Sequence, residues 1–390
     1  VGVLQGGGDH TLSNMTGDSY TTYYRPARLE TLAAQVFAAW NEPTPISKII
    51  LDSSFFAGPT FTSAWKSSDR TNGYISHITG LQVDSDRANP DLTSTAYNGY
   101  RSTNPVLASG KLFRAALDGL ADGATLVEGK TPAGAVELTR VVSQPITNWL
   151  SHAISVSDNT ETEFIGRHAA KAVGLPASFD SIPKLIKTTL EPLGVDTKGL
   201  VMKDGSGLAQ ANRVTPKMIA ELMVKVANNE GNLGALETYL PVAGKTGTGE
   251  DPPRPDHAWF GGYAPSDDPE LVIIAFGENS GGYGGTPPVT GVVVPVTGDE
   301  DTGYVIAYAA DSVGITVVPY RRTNSILVVA PTADFAFVED LIKSFDKPGE
   351  NENFFTRRLQ YVSVLDYMSS FYNALARGTD ITQNEELAEG

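Results

Sequence analysis

The sequence predicts a mixed α/β (α+β) protein with a large N-terminal body and a small ββαβα module at the C-terminal end. Strand-like apolar runs at residues 1–9 and 46–53 flank residues 26–41, where apolar side chains recur at helical spacing. Near the other end, two β-rich runs at 315–320 and 325–330 precede a helical apolar pattern. Helices and strands are therefore expected in both parts of the chain.

Composition divides the chain into segments. The body is expected to cover residues 1–285, with a loop-rich insertion at about 55–104 where Gly, Ser, Thr, Asn and Asp dominate. A linker is predicted at 286–313, the α/β module at 314–378, and a polar acidic tail at 379–390.

Helical periodicity recurs in the second half of the body. The strongest pattern lies between Thr215 and Asn228, because Thr215 can cap the helix and Pro216 suits its first turn. Weaker helical patterns occupy 105–120, 145–153 and 161–173. The run Leu271–Phe276, LVIIAF, is the clearest strand in this part of the chain.

The composition excludes several classes of protein. The 390 residues carry 29 Lys and Arg against 45 Asp and Glu, a formal net charge of −16, which argues against nucleic-acid binding. Cysteine is absent, so disulfides, a thiolate nucleophile and cysteine-ligated metals are ruled out. The sequence contains no run of about 18 apolar residues that would predict a transmembrane helix.

Neither a metal site nor a nucleotide site is indicated, and no cofactor is expected. The five histidines show no metalloprotease spacing. Two Gly-Lys-Thr triplets occur at 129–131 and 244–246. A phosphate-binding loop needs a glycine five residues before its Gly-Lys pair, but Ala124 and Tyr239 stand there.

Two motifs in a fixed order indicate acyl-transfer chemistry. Ser157-Asp158-Asn159 stands 88 residues before Lys245-Thr246-Gly247-Thr248. The pair resembles two of the three signatures of serine penicillin-recognising enzymes, Ser-x-Asn and Lys-Thr-Gly. Each motif alone is weak, since Ser157 could simply cap the next helix and Lys245 could be a solvated strand residue.

The surrounding sequence extends the resemblance. LVMKDGSGLAQANRVTPKMIAELM at 200–223 resembles the DGSGLS-type segment of class C (peptidase S13) D-alanyl-D-alanine carboxypeptidases. QGGGDHTLS, TTYYRPARLETLA and KIILDSSFFAGP resemble the same enzymes, so that the likeness covers about 1–241. From about 242 to 285, VAGKTGTGE and the following strands look more like the Lys-Thr-Gly end of class B transpeptidases.

The resemblance implies a β-lactamase-like body, with an antiparallel sheet beside a helical region, and assigns roles to the motif residues. Lys245 and Thr246 would hold the terminal carboxylate of a peptide ending in D-Ala-D-Ala. Ser157 would pass protons to the leaving amine, and Asn159 would orient the substrate amide. The predicted catalytic residues are Ser157, Asn159 and Lys245, and the predicted substrate-binding residues are Thr246, Gly247 and Thr248.

The nucleophile has no counterpart at the expected place. The family carries a Ser-x-x-Lys helix upstream of the GGGD segment, at which this chain begins, so that part of the body is expected to be missing. Three Ser-x-x-Lys strings occur elsewhere, starting at Ser63, Ser181 and Ser344, and none is assigned the role.

The C-terminal module resembles a different family. ITVVPYRRTNSILVVA, followed by a helix ending in LIKSFD, looks like the short periplasmic domains of bacterial secretins over about 314–378. That resemblance implies a turn shaped by Arg322, Thr323 and Asn324, and a contact with a protein partner. A generic α/β cap is the alternative.

Taken together, the resemblances imply an extracytoplasmic, serine-type D-alanyl-D-alanine carboxypeptidase or endopeptidase that acts on peptidoglycan stem peptides and binds β-lactams. Whether the chain is an active enzyme is left open, because hydrolysis is expected to be impaired without the Ser-x-x-Lys serine. The alternative is a non-catalytic envelope protein that binds peptidoglycan or assembles in the manner of secretins.

Overall fold

The computed structural model divides the chain into two compact units, one formed by residues 1–276 with 291–306 and the other by 277–290 with 307–390. The structure describes residues 1–17, 21–90, 99–237, 244–249, 257–264, 269, 271–277, 289–295, 305–308, 316–320 and 325–329.

The first half of the larger unit is built on a parallel sheet. Its strands are β1 (Gly2–Gln5), β2 (Lys48–Asp52) and β3 (Thr125–Glu128), in that order. Parallel neighbours need crossover connections, and these contain the helices α1 (Leu29–Ala39), α2 (Ser67–Thr71) and α3 (Pro105–Ala116). The buried faces of α1 and α3 share one apolar core with the strands. Gly110 permits this packing, because a Cβ there would lie 2.4 Å from Leu51 Cδ1.

A helical region follows. It contains α4 (Ile146–Val156), α5 (Asn159–Ala172), α6 (Ile182–Leu190), α7 (Pro216–Ala227) and α8 (Gly234–Glu237). Helices α4, α5 and α7 confirm the sequence patterns, and Thr215 caps α7 by accepting a hydrogen bond from the Met218 N–H at 3.1 Å. Helix α6 was not predicted, although its proline lies in the first turn, where a missing N–H costs nothing.

The second sheet has five strands: β4 (Gly244–Gly249), β5 (His257–Ala264), β6 (Leu271–Gly277), β7 (Val289–Pro295) and β8 (Val305–Tyr308), in that order. Strands β4 and β5 are antiparallel, with Lys245 opposite Gly261 and Thr246 opposite Phe260. Ala220 and Val224 of α7 share a core with Val272 and Ile274 of β6. A helical region and an antiparallel sheet in one unit confirm the predicted fold class.

The smaller unit contains one described hairpin. Strands β9 (Thr316–Tyr320) and β10 (Ser325–Val329) pair antiparallel, as the first two strands of the predicted ββαβα module should. The helices and the third strand of that prediction, together with the Arg322-Thr323-Asn324 turn, lie outside the described residues. Strands β7 and β8 lie in the range assigned to a linker, 286–313, and the domain boundaries stay a prediction. No described helix combines the length and apolar character that crossing a bilayer requires.

Candidate functional site

Ser157, Asp158 and Asn159 form the turn between α4 and α5. Ser157 ends α4 in the left-handed conformation, at φ 58° and ψ 45°, which costs a non-glycine residue about 1–2 kcal/mol. Asp158 caps α5, since its Oδ1 accepts a hydrogen bond from the Glu161 N–H at 3.0 Å. The cap is therefore Asp158, and the expectation that Ser157 might serve only as the helix cap is wrong. Within the described residues, no hydrogen bond engages the Ser157 hydroxyl.

Asp158 is buried at the centre of a charged network. Arg87 Nη2 lies 2.9 Å from its Oδ2, and the Tyr23 hydroxyl donates to the same oxygen at 3.2 Å. Burial alone would raise the pKa of Asp158, but the Arg87 guanidinium and the Glu161 N–H outweigh burial and hold it below its usual value. Removing one partner of such a buried pair typically costs about 3–5 kcal/mol of stability. Arg87 and Tyr23 thus hold Asp158, the middle residue of the motif, in place.

Asn159 is hydrogen-bonded to a loop that lies 85 residues earlier in the chain. Its Nδ2 donates to the Tyr74 carbonyl at 3.1 Å, and the next residue, Thr160, accepts a hydrogen bond from the Ser76 N–H at 3.1 Å. The bond to Tyr74 sets the plane of the Asn159 amide, so that Oδ1 is the group it can offer to a substrate N–H. The turn that carries Ser157 and Asn159 is therefore hydrogen-bonded to the Tyr74–Ser76 segment.

The Lys245 motif lies on β4, at the end of the described strand order. Lys245 is half-buried, and its Nζ donates to the Thr246 carbonyl at 2.6 Å. Burial lowers the pKa of Lys245. Thr246 and Gly247 are exposed, and Thr248 belongs to the same strand. The convergence of this strand and the Ser157 turn on one cleft stays a prediction.

The Ser-x-x-Lys strings occupy unequal environments. Ser63 is exposed in a loop, with Lys66 at the start of α2. Ser181 is buried at the start of α6, with its hydroxyl 3.4 Å from that of Ser178. Ser344 lies outside the described residues. An exposed loop serine and a buried helix-start serine both differ from the accessible helix-borne nucleophile that the family pattern implies.

A second pair of titratable groups lies next to the turn. Glu161 is buried, and its Oε2 lies 2.5 Å from His152 Nδ1. Burial raises the pKa of Glu161 to about 7, and the negative charge of Asp158 adds to that effect. Burial alone would lower the pKa of His152, but its bond to Glu161 outweighs burial and raises it. The pair therefore retains a proton near neutral pH.

Candidate metal ligands also occur in this network. Donor atoms of His152, Asp158 and Glu161 lie within 4.8 Å of one another. However, Arg87 already balances the charge of Asp158, and His152 is bound to Glu161. The cluster thus has little unbalanced negative charge with which to hold a cation, and we assign no metal to it.

Sequence reasoning missed the partners of the turn. Tyr23 and Arg87 lie 135 and 71 residues from Asp158 in the chain, too far for any local pattern to connect them. One signal was available on α5. Three of its buried positions carry charged residues, Glu161, Glu163 and Arg167. Charged residues on the inward face of a helix indicate a buried polar network.

The fold agrees with comparisons to known proteins. Residues 98–259 match the profile of the D-Ala-D-Ala carboxypeptidase 3 (S13) family, and residues 291–351 match the bacterial type II/III secretion system short domain. The crystal structure of penicillin binding protein 4 (dacB) from Haemophilus influenzae is similar, with a TM-score of 0.53 at 17% identity, over 70% of this chain and 74% of that one. At this identity the likeness concerns the fold.

Individual relatives point the same way. Carboxypeptidase Rv3627c of Mycobacterium tuberculosis is 35% identical over 247 residues, and carboxypeptidase DacB of Mycolicibacterium smegmatis is 33% identical over the same length. Each alignment covers 63% of this chain and 52% of the relative, so the chain spans about half their length. The resemblances to S13 carboxypeptidases and to the secretin short domain are confirmed. The S13 match runs to 259, past the predicted end at 241, and the secretion-domain match begins at 291, upstream of 314. The likeness of 242–285 to class B transpeptidases stays a prediction.

Proposed function

We propose that this chain recognises peptidoglycan stem peptides ending in D-Ala-D-Ala, on the cell-wall side of the membrane, with the site of a serine-type D-Ala-D-Ala carboxypeptidase. The observation that carries the proposal is the fixed Ser157–Asn159 turn, in a chain whose residues 98–259 match the S13 family. β-Lactams are expected to enter the same site.

Each motif residue has a role in this proposal. The Lys245 ammonium and the Thr246 hydroxyl bind the terminal carboxylate, because charge-assisted hydrogen bonds are the strongest available for that group. Asn159 accepts the substrate amide N–H, and Ser157 relays a proton to the leaving amine. Since β4 ends the described strand order, its outer edge can pair with an extended peptide. Gly247 and Thr248 extend this edge.

Binding can be tested at Lys245. Lys245→Ala is expected to weaken the affinity for a synthetic peptide ending in Lys-D-Ala-D-Ala by about tenfold, because a charge-assisted contact worth about 1.4 kcal/mol is lost. Isothermal titration calorimetry measures this, with the C-terminal amide of the same peptide as the ligand control. Lys130→Ala, in the other Gly-Lys-Thr triplet, is the matched protein control. Equal affinity in both variants would refute the assignment.

Hydrolysis is expected to be impaired. Neither Ser63 nor Ser181 has the setting of an activated nucleophile, and catalysis without one is commonly slower by several powers of ten. We therefore expect no covalent adduct in intact-mass spectrometry after incubation with a labelled penicillin. An adduct on a mapped serine would instead make the chain an active acyl-transferase and identify its nucleophile.

A non-catalytic role in assembly is the second candidate, favoured by the secretion-domain match at 291–351. Such a role predicts association through the C-terminal unit with or without peptide. Sedimentation of the full chain in the presence and absence of the D-Ala-D-Ala peptide separates the two candidates.

A further inference from the structure

A strained turn at residues 84–86 contacts the residues that hold the Ser157 motif. Asp84, Ser85 and Asp86 all have positive φ, at 49°, 50° and 57°, although none is glycine. Three consecutive left-handed residues persist only where surrounding contacts over-determine them. Such contacts are present, because the Asp84 N–H donates to the Leu12 carbonyl at 2.7 Å and the Ser85 N–H donates to the His10 carbonyl at 2.8 Å.

The strained turn places the side chains of Ser85 and of the following residue, Arg87, in the network around Asp158. The Ser85 hydroxyl lies 2.5 Å from the Tyr23 hydroxyl and 2.8 Å from His10 Nδ1. Directly after the turn, Arg87 is 7% exposed and reaches Asp158 at 2.9 Å. Tyr23 contacts both Ser85 and Asp158, so the turn holds Asp158 by two routes.

We infer that Arg87 is a positioning residue for Ser157 and Asn159. Asp158 is the residue between them, and its carboxylate joins the Arg87 guanidinium to the first turn of α5. Fixing that carboxylate fixes the backbone on both sides, including the left-handed Ser157. The inference rests on the proposed function, because positioning matters only if these two residues meet a substrate.

Another buried arginine shows what a purely structural role looks like. Arg167 is 0% exposed, and its guanidinium donates to backbone carbonyls of Ala57 and Ala177 at 3.1 and 2.9 Å. Among the described residues, no hydrogen bond joins Arg167 to the Ser157 turn. Arg167→Lys is therefore a matched control that should lower stability without altering the turn.

The decisive variant replaces both partners of the ion pair, so that neither Arg87 nor Asp158 is left as a buried charge without the other. In Arg87→Met/Asp158→Asn the methionine fills the space of the arginine stem, and asparagine is itself a good helix cap. We expect a thermal midpoint close to that of the wild type, a dissociation constant for the Lys-D-Ala-D-Ala peptide raised about tenfold, and faster amide hydrogen exchange at 158–161 relative to α7. Arg87→Lys keeps the charge but loses the planar fork, and serves if the double variant does not fold.

The outcomes separate the inference from the proposed function. A folded double variant with wild-type affinity and wild-type exchange at 158–161 would overturn the positioning role. If the wild-type chain itself binds no D-Ala-D-Ala peptide, the proposed function fails. The exchange measurement then decides alone, since faster exchange at 158–161 in the Arg87 variants but not in Arg167→Lys supports positioning, and equal exchange refutes it.

Discussion

Among the described residues, no countercharge lies at hydrogen-bond distance from the buried carboxyl group of Glu163. Its Oε1 accepts hydrogen bonds from the Gly205 and Ser206 N–H groups, both at 2.8 Å, while its Oε2 is buried with no hydrogen-bond partner in the described part of the chain. Burial raises its pKa to about 7, and repulsion from Asp204 acts in the same direction. Glu163 is thus expected to be protonated in mildly acidic solution.

This placement predicts a pH-dependent effect of Glu163→Gln. The folded-state pKa of about 7 lies above the unfolded value of 4.5, so the wild type loses stability as the pH rises through this window. Glutamine does not titrate. The free energy of unfolding of the variant, relative to wild type, should rise by up to about 3 kcal/mol between pH 5 and pH 8. Urea denaturation at both pH values measures it. Exposed Glu42→Gln is the control, and an equal difference at both pH values would contradict the prediction.

His10 titrates in the opposite sense. Burial lowers its pKa from 6.5 to about 3, so the folded state keeps the ring neutral and loses stability as the pH falls below 6.5. The environment of His10 could not be inferred from the sequence. Its histidine spacing argued only against a metalloprotease site, whereas burial depends on Tyr23, Trp149 and Phe164, whose rings surround His10.

At the scale of elements, α7 shows how far periodicity reaches. The predicted cap and first-turn proline are confirmed, but the helix is buried on more than one side. Ala220 and Val224 pack with β5 and β6, while Met218 packs with Val195 and Leu200. A helix buried on two sides does not have the single apolar stripe that periodicity detects. Strand β3 was missed for another reason, since four residues are too few to establish alternation.

Thr215→Ala tests the cap of α7. Loss of the bond from the Met218 N–H should lower the free energy of unfolding by about 1 kcal/mol. Chemical denaturation measures the change. Thr189→Ala is the control, because Thr189 is exposed on α6 and bonds only to a carbonyl within its own helix. A loss in the control as large as that at Thr215 would show that the effect is not one of capping.

At the scale of the whole molecule, the order of the two motifs along the chain was more informative than either motif alone. The Ser157 and Lys245 segments were expected before a helix and on a strand, and the structure describes them there. The network that holds the turn could not be predicted, because Arg87 reaches Asp158 only through a strained turn that no propensity favours. Long-range contacts of this kind become visible only in the folded chain.

The two compact units predict that the C-terminal part can be removed. The described apolar core of the larger unit, from Leu4 to Ile274, lies within residues that a chain ending at Val296 retains. A chain ending at Val296 keeps β4 to β7 and loses only the four-residue strand β8 from this sheet. We expect it to unfold cooperatively with a thermal midpoint within about 5 °C of the full chain's larger-unit transition, since an edge strand contributes about 1 kcal/mol or less. Circular dichroism and calorimetry measure this.

A chain ending at Ala264 also loses Val272 and Ile274 and should not fold. Failure of the chain ending at Val296 to fold, while the full chain is stable, would show that residues beyond 296 complete the core of the larger unit.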